Sequence, residues 1–324
     1  MRRVRRAVAV VLAVVTLTAP YALAAAPPPR LCVEPVLTCP KPKPAPAPKP
    51  KPKPRDLSAY HGLGTWVDAY DFSREYKGRI APSAVDDMAA QGVKTLYIQG
   101  AKDRNGGETG VLSPDLLGDF LERAHAKKIK VVAWYLPRFV DANRDWGHLD
   151  ALLKFRSAHG QAFDSIGVDI ESTEQSDLKT RNDRLVALST KLRNGAGTMA
   201  TSAIVIPPVV TDKINTKYWP DFPWERLKGS YDVWIPMAYY TNRTKQPEWR
   251  DAYKYVTENV KLLRGHVGSA AVVHAAGGVG TDSTSADYDG LVRGATDAKC
   301  VGASSYDYGV TARGAWATLR KSPS

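Results

Sequence analysis

The chain has 324 residues, of which 44% are hydrophobic and 24% are charged. This composition excludes a fibrous or wholly disordered protein and is typical of a globular domain with extensions. The formal net charge is +12, but residues 1–6 and 27–55 carry most of it, and residues 56–324 carry only +2. We therefore predict no nucleic-acid partner, because phosphate binding needs Lys and Arg concentrated on one face of a domain.

The first 24 residues have the three parts of a secretory signal peptide. Residues 1–6 are rich in Arg, residues 7–17 form an apolar run, and small residues follow at Ala22, Ala24 and Ala25. This pattern predicts cleavage after Ala24 and a secreted, extracellular protein. A retained membrane anchor is the alternative, but the run is short for a bilayer span, so we expect no stable membrane span after cleavage.

Residues 25–55 form a segment rich in Pro and Lys. Twelve of the 23 prolines of the chain lie between Pro27 and Pro54, many of them alternating with Lys. Such a sequence predicts a disordered, extended linker in the polyproline II conformation. Its spaced positive charges favour electrostatic contact with anionic cell-wall polymers, and a plain role in solubility and spacing is the equal alternative.

The cysteine and histidine residues do not form a recognisable metal site. Cys32 and Cys39 bracket six residues of the linker, and export would permit a disulfide between them. Cys300 has no evident partner and is predicted to be buried and free. The six histidines are scattered without an i, i+4 pair, so we predict neither a metal nor a cofactor.

From residue 56 to residue 324, short runs of β-forming residues alternate with helical patterns. The eight runs are GLGTWVDAYDF, TLYIQG, KVVAWYLP, SIGVDIES, SAIVIPP, DVWIPMAYYT, SAAVVHAAGG and CVGASSYDYG. Eight β then α units in about 260 residues match the size of one (β/α)₈ barrel. The predicted fold class is thus α/β, with a TIM barrel at residues 56–324.

Helix signals lie between these runs. Ser113-Pro114 is predicted to open one helix, and residues 177–195 form a long amphipathic pattern that ends at Gly195. A doubly wound open sheet is the competing fold, but no G-x-G-x-x-G turn follows a strand. Residues 277–280 (GGVG) follow the seventh strand and are interpreted as a barrel loop with a small chance of contacting phosphate.

Aromatic and acidic residues dominate the carboxyl ends of the predicted strands, where TIM barrels carry their chemistry. Aromatic faces stack on sugar rings, and carboxylates supply the acid, base or nucleophile that breaks a glycosidic bond. The predicted substrate-binding residues are Trp66, Gln99, Trp134, Tyr240 and Tyr306. For Trp66, Trp134 and Trp234, a place in the barrel core is an equally good interpretation.

Asp169-Ile170-Glu171 is the most informative motif. Residues two apart on a strand point to the same side, so both carboxylates are predicted to project into the barrel mouth and to interact. Repulsion and partial burial raise the pKa of a carboxyl group, which is how a general acid stays protonated near neutral pH. An ion-pair or capping role is the structural alternative.

The segment from Phe163 to Glu171 (FDSIGVDIE) resembles the strand-four signature of family 18 glycoside hydrolases, F-D-G-I-D-I-D-W-E. The resemblance implies that Glu171 protonates the leaving oxygen and that Asp169 orients the acetamido group of the substrate. The segment from Tyr231 to Tyr239 (YDVWIPMAY) resembles the sixth strand of that family, which implies that Tyr239 lies near the reacting acetamido group.

The chain also departs from the family 18 pattern. Gly167 stands at the position of the middle Asp, Tyr240 replaces the Asp of M-x-Y-D, and Tyr306 occupies the region of a tryptophan. The D-x-E motif also resembles family 25 muramidases, which cleave peptidoglycan and place further acids at other strand ends. By that resemblance Asp68 or Asp307 would be the second carboxylate.

The sequence thus predicts a secreted glycoside hydrolase that acts on a polysaccharide, with Glu171 as the general acid/base, and polysaccharides that contain amino sugars are among the candidate substrates. Asp169 tunes this acid, Tyr239 hydrogen-bonds the reacting sugar, and Asp68 or Asp307 completes the catalytic set. The alternative from another class is a non-catalytic barrel that binds glycans or the cell wall.

Overall fold

The computed structural model describes residues 54–104 and 108–324. The strands are β1 (Gly62–Val67), β2 (Thr95–Gln99), β3 (Lys130–Tyr135), β4 (Ser165–Ile170), β5 (Ala200–Val205), β6 (Val233–Pro236), β7 (Val272–Val279) and β8 (Gly302–Tyr306). They form a closed parallel barrel in chain order, because β1 pairs with both β2 and β8. The predicted (β/α)₈ barrel is confirmed, and the doubly wound open sheet is excluded.

Helices follow the strands around the barrel. They are α1 (Ala69–Phe72), α2 (Ala84–Ala90), α3 (Pro114–Ala126), α4 (Ala142–Lys154), α5 (Leu178–Gly195), α6 (Trp224–Leu227), α7 (Ala252–Val267), α8 (Ser285–Asp297) and α9 (Trp316–Leu319). Asp141, Asp177 and Asp251 cap α4, α5 and α7 by accepting hydrogen bonds from backbone N–H groups of the first turn. These caps satisfy donors that the helix itself leaves unpaired. The start of α3 at Pro114 and the end of α5 at Gly195 agree with the sequence signals.

Two apolar layers hold the barrel together. The larger layer lies between the strands and the helices and includes Leu96, Val168 and Phe120, all fully buried. The smaller layer fills the barrel interior and includes Tyr97, Trp134 and Ile235. This division follows from the alternation of side chains along each strand, since successive residues point to opposite faces. The interior layer ends at the carboxyl ends of the strands, where it forms the floor of a cavity.

The first predicted strand is shorter than its run of β-forming residues. β1 ends at Val67, and Asp68 then caps α1. The side chain of Asp68 accepts hydrogen bonds from the backbone N–H groups of Tyr70 and Asp71, and Asp71 Oδ2 accepts one from the N–H of Asp68. This reciprocal capping box starts a helix inside a segment whose composition favours a strand.

The glycine run after the seventh predicted strand does not form a phosphate loop. Gly277 and Gly278 belong to β7 itself. A Cβ atom at Gly277 would lie 2.3 Å from Leu291 Cδ2, and one at Gly278 would lie 2.6 Å from Tyr240 Cε2. Both glycines therefore permit close packing of neighbouring side chains. Their place inside a strand does not support the phosphate contact that was considered for residues 277–280.

The predicted signal peptide, nearly all of the predicted linker, and Cys32 and Cys39 lie outside the described residues. The chain divides into residues 1–51 and 52–324, and only the second part is described, apart from residues 52–53 and 105–107. Arg55, at the end of the predicted linker, forms an ion pair with Asp232 at 2.9 Å. None of the helices in the described ranges is long and apolar enough to span a membrane.

Cys300 is buried, as predicted, with 6% of its surface exposed. Burial raises the pKa of its thiol to about 12, so the group stays protonated at neutral pH. The thiolate is the reactive form of cysteine, so Cys300 behaves as a small apolar core residue.

Candidate active site

A cavity of about 280 Å³ lies at the carboxyl ends of the barrel strands. Eight of the ten predicted site residues line it, and they come from six strands or the loops that follow them. These residues are Trp66, Asp68, Gln99, Trp134, Asp169, Glu171, Tyr239 and Tyr306. The other two predicted residues, Tyr240 and Asp307, lie outside its wall. The barrel thus brings together aromatic and acidic side chains that are far apart in the sequence.

Asp169 and Glu171 stand side by side at the end of β4. Asp169 is the fifth of six strand residues and pairs with Ile204 of β5, and Glu171 follows the strand directly. Burial and the neighbouring carboxylate of Glu171 raise the pKa of Asp169 well above its usual value. Burial also raises the pKa of Glu171, while the positive charge of Lys102 opposes the rise at both groups. The pair can therefore hold a proton near neutral pH.

Two buried polar atoms of the cavity lining have no hydrogen-bond partner among the described residues. They are Asp169 Oδ1 and Trp134 Nε1. Asp169 is 6% exposed and Trp134 is 5% exposed. Buried donors and acceptors are normally satisfied, so an unpaired pair lining one cavity indicates a place where a polar ligand or water binds.

The aromatic wall belongs to both the core and the cavity. Trp66 stacks on Tyr97 with a centroid distance of 4.4 Å and donates from Nε1 to Ser304 Oγ at 2.9 Å. Trp134 lies edge-on to Trp66 at 6.1 Å. Trp66 and Trp134 are therefore both core residues and cavity residues, because each packs in the barrel interior and also borders the cavity. Trp234 instead packs among Trp224 and Tyr231 in the layer between the barrel and the helices.

Asp68 is held in place by hydrogen bonds to both of its oxygens. Oδ1 accepts from the backbone N–H groups that it caps, and Oδ2 accepts from the hydroxyl of Tyr306 at 2.8 Å. Asp68 therefore serves as a helix cap and also as a fixed acid in the cavity wall. Its contact with Tyr306 links the neighbouring strands β1 and β8 at the barrel mouth.

Asp307 and Tyr240 do not face the cavity. Asp307 Oδ1 accepts from the backbone N–H of Val310, and its carbonyl accepts from Thr311, so the residue organises the turn after β8. Tyr240 is fully buried beside Gly278, in a short turn that follows β6. Strand alternation does not hold in these turns, so the positions of these two side chains do not follow from the strand pattern.

Tyr239 and Gln99 provide polar groups on opposite sides of the cavity. Burial and the surrounding carboxylates hold the pKa of Tyr239 well above its usual value, so its phenol remains a hydrogen-bond donor. Gln99 Oε1 accepts from the backbone N–H of Ala69 at 2.9 Å, which fixes the orientation of its amide. Both groups are placed to orient a sugar hydroxyl or an acetamido group.

The cavity continues into two neighbouring cavities, one on each side. The first has a volume of about 490 Å³ and shares Tyr70, Lys102 and Leu136 with it. The second has a volume of about 180 Å³ and shares Glu171, Met237, Tyr239 and Asn242 with it. The acid pair therefore lies along an extended cleft, as a polymer-binding site requires.

Lys102, whose positive charge lowers the pKa of both acids, was not identified from the sequence. It lies three residues beyond the end of β2, so its position after a strand was the available signal. Tyr218, also missed, donates its hydroxyl to the backbone carbonyl of Glu171 at 2.9 Å. It lies in the long connection between β5 and α6, which no strand-end pattern identifies.

Gly167 has a packing reason in this barrel. A Cβ atom there would lie 3.0 Å from Ser202 Oγ and 3.1 Å from Ile204 Cδ1. An acidic side chain at this position would have to displace both neighbours inside the barrel. Gly167 stands in place of the middle Asp of the family 18 signature, at a position where neighbouring side chains leave little space for a larger residue.

The chain matches no protein-family model and no curated relative. Its fold is similar to that of the endo-1,4-beta-D-mannanase from Thermotoga petrophila RKU-1 (10% identity, TM-score 0.57, covering 76% of this chain and 88% of the mannanase). The chitinase from Chromobacterium violaceum ATCC 12472 is also similar (13%, 0.55, 81% and 98%). So is the chitinase-like agglutinin RobpsCRA from Robinia pseudoacacia (13%, 0.53, 80% and 98%). At these identities the comparisons establish the shared barrel fold.

Proposed function

We propose that this protein is a glycoside hydrolase that cleaves a polysaccharide, with Glu171 as the general acid. The observation that carries the proposal is the pair Asp169 and Glu171, both with raised pKa, in an aromatic cavity within an extended cleft. A buried acid beside a half-buried one costs folding free energy, and such an arrangement is typical of a catalytic site. Neither acid is needed to cap a helix or to neutralise a buried cation among the described residues.

The reaction begins with a protonated Glu171. Its carboxyl group donates a proton to the glycosidic oxygen while the bond from that oxygen to the anomeric carbon breaks. Burial raises the pKa of Glu171 and so keeps this proton available, and Asp169 beside it has a raised pKa of its own. Tyr239 donates a hydrogen bond to the sugar that reacts, and Trp66 and Trp134 border its apolar face. Water then forms the new bond to the anomeric carbon and gives one proton to the carboxylates of the site, so that Glu171 is protonated again.

Of the two candidates for the second carboxylate, we propose Asp68. It lines the cavity, whereas Asp307 is engaged in the turn after β8. Asp68→Asn is a clean test, because Asn caps a helix about as well as Asp and so keeps α1 in place. We expect Asp68→Asn to lower kcat by about 100-fold or more and Asp307→Asn to act mainly on stability. A larger loss of kcat in Asp307→Asn at unchanged thermal stability would reverse this assignment.

A substrate panel tests the proposed function. Reducing-end release is measured for the wild-type protein, Glu171→Gln and the matched control Glu225→Gln on chitin oligomers, peptidoglycan, mannan and other neutral polysaccharides. Glu225 is a suitable control because it is exposed and lies in α6, away from the cleft. We expect release by the wild type and the control but not by Glu171→Gln. The shared fold does not decide between an enzyme and a glycan-binding protein, so binding without release by the wild type would establish the non-catalytic alternative.

We also propose that the protein acts outside the cell and on the cell wall, on the basis of residues 1–55. The signal-peptide pattern supports export, and the Pro/Lys-rich linker supports contact with anionic wall polymers. N-terminal sequencing of the exported protein should find cleavage after Ala24. Deletion of residues 27–53 should weaken binding to teichoic acid without changing reducing-end release from a soluble substrate, and unchanged binding would leave the linker as a spacer.

A further inference from the structure

The larger cavity beside the acid pair has a different chemical character from the cavity that holds the acids. Its volume is about 490 Å³, and it joins the acid-lined cavity at Tyr70, Lys102 and Leu136. We call it the cationic arm of the cleft, and its lining residues are Tyr70, Tyr76, Lys102, Asp103, Arg104, Leu136, Arg138 and Glu174. No residue of this arm belongs to the proposed catalytic set.

The charges of the cationic arm do not cancel. Its two acids are both held by arginines: Arg138 pairs with Asp103 and Glu174, and Arg144 pairs with Asp103 at 2.5 Å. Lys102 and Arg104 make no ion pair with any residue in the described ranges. Their charges act at longer range on the acid pair and on Glu75, but neither cation has a carboxylate in direct contact within the described ranges.

An exposed aromatic ring fixes where one of these cations sits. Tyr70 is 58% exposed and packs against Tyr76 with a centroid distance of 4.7 Å. The Lys102 Nζ atom lies 4.9 Å from the centroid of the Tyr70 ring. This cation–π contact holds the ammonium group at the junction of the two cavities. A sugar that stacks on Tyr70 would bring its substituents within reach of Lys102.

Charge also restricts where an anionic sugar can bind. The acid-lined cavity contains three carboxyl groups, those of Asp68, Asp169 and Glu171, and a further carboxylate at the point of cleavage would be repelled by whichever of them is ionised. The cationic arm has the opposite preference. The junction at Lys102 thus separates a position for a neutral reacting sugar from a position for a charged neighbour.

We infer that the cationic arm binds a carboxylate-bearing sugar next to the bond that is cut, with Lys102 as the residue that determines this specificity. The inference rests on the proposed function and names its substrate class, a polysaccharide with carboxylates on some of its sugars. Arg104 supplies a second contact farther along the arm.

The test uses one glycan in two forms, carboxymethyl chitin and the same polymer after its carboxylates have been reduced to alcohols. Reducing-end release gives kcat and KM for both forms with the wild type, Lys102→Met and the control Lys191→Met. Met keeps most of the length of the Lys side chain and removes its charge. Lys191 is a matched control, because its Nζ lies 4.5 Å from the ring of Trp146 in a separate groove between α4 and α5.

We expect the wild type to have a KM about tenfold lower for the carboxylated polymer, which is the size of effect typical of a charge-assisted hydrogen bond. Lys102→Met should lose this preference, so that its KM values for the two forms become equal, and Lys191→Met should keep it. Equal KM values for the two forms in the wild type, or the same rise of KM for both forms in Lys102→Met, would overturn the inference.

A binding measurement keeps this test separate from the test of the proposed function. Affinity electrophoresis of the Glu171→Gln protein in gels containing either polymer measures retention without cleavage. Stronger retention by the carboxylated form that disappears in the double variant Glu171→Gln/Lys102→Met supports the cationic arm even if the wild type cuts neither polymer. Equal retention in both gels contradicts the cationic arm even if the wild type is an active hydrolase.

Discussion

The acid pair shows how single residues of this barrel obtain unusual chemistry from their surroundings. Strand alternation alone predicts that Asp169 and Glu171 share a face, so the sequence was sufficient for their proximity. Burial raises their pKa and the charge of Lys102 opposes this rise, so the result depends on residues outside β4. The pKa of the pair thus depends on residues that are far apart in the sequence, and no local sequence pattern predicts it.

A pH profile tests the state of Glu171. A general acid acts in its protonated form, so kcat/KM should fall as the pH rises through the raised pKa of this group. Lys102 lowers the pKa of both acids, so Lys102→Met should move the alkaline limb of the profile to higher pH. An alkaline limb that stays in place in Lys102→Met would show that Lys102 does not act on the pair.

Thermal stability tests the state of Asp169. The folded-state pKa of Asp169 is raised, so the wild-type protein loses stability as the pH rises through that value and the buried group must ionise. Asp169→Asn removes this loss, because Asn has nearly the same shape and no charge. We expect its Tm relative to wild type to be higher at pH 8 than at pH 5. A Tm difference that is the same at both pH values would contradict a raised pKa.

At the scale of secondary-structure elements, regular periodicity predicted the fold and irregular turns limited the prediction of the site. Each of the eight runs corresponds to a strand of the barrel, because short runs of β-forming apolar residues fit parallel strands that are buried on both faces. Asp68 is a cap that starts α1 within such a run, and Tyr240 lies in a turn directly after β6. In both places the chain leaves the strand geometry on which the site prediction relied.

Close packing at β7 provides a test at this scale. Gly278→Ala places a Cβ atom 2.6 Å from Tyr240 Cε2 and 2.9 Å from Thr241 Cγ2, and we expect it to destabilise the fold by about 1–3 kcal/mol. Gly265→Ala in α7 meets no atom within 4 Å and should instead stabilise by about 0.5–1 kcal/mol. Urea unfolding measures both, and equal free energies of unfolding in the two variants would contradict this packing.

For the whole described barrel, the position of the acids along the cleft predicts the mode of cleavage. Cavities lie on both sides of Glu171, so sugars can bind before and after the bond that is cut. Such a protein should cut polymers internally. The viscosity of a soluble substrate should then fall well before many reducing ends appear. Steady release of one short product from the start, with viscosity falling in proportion, would indicate attack from a chain end.

The most direct test of Glu171 as the general acid is to measure how the activity of the Glu171→Gln variant depends on the leaving group of the substrate. Aryl glycosides of the sugar that responds in the panel are compared, with p-methoxyphenyl as a leaving group that needs protonation and 2,4-dinitrophenyl as one that does not. If Glu171 is the general acid, the variant should lose roughly 100-fold or more in kcat/KM on the first and far less on the second. An equal loss on both glycosides, or no loss on either, would contradict the assignment of Glu171 as the general acid.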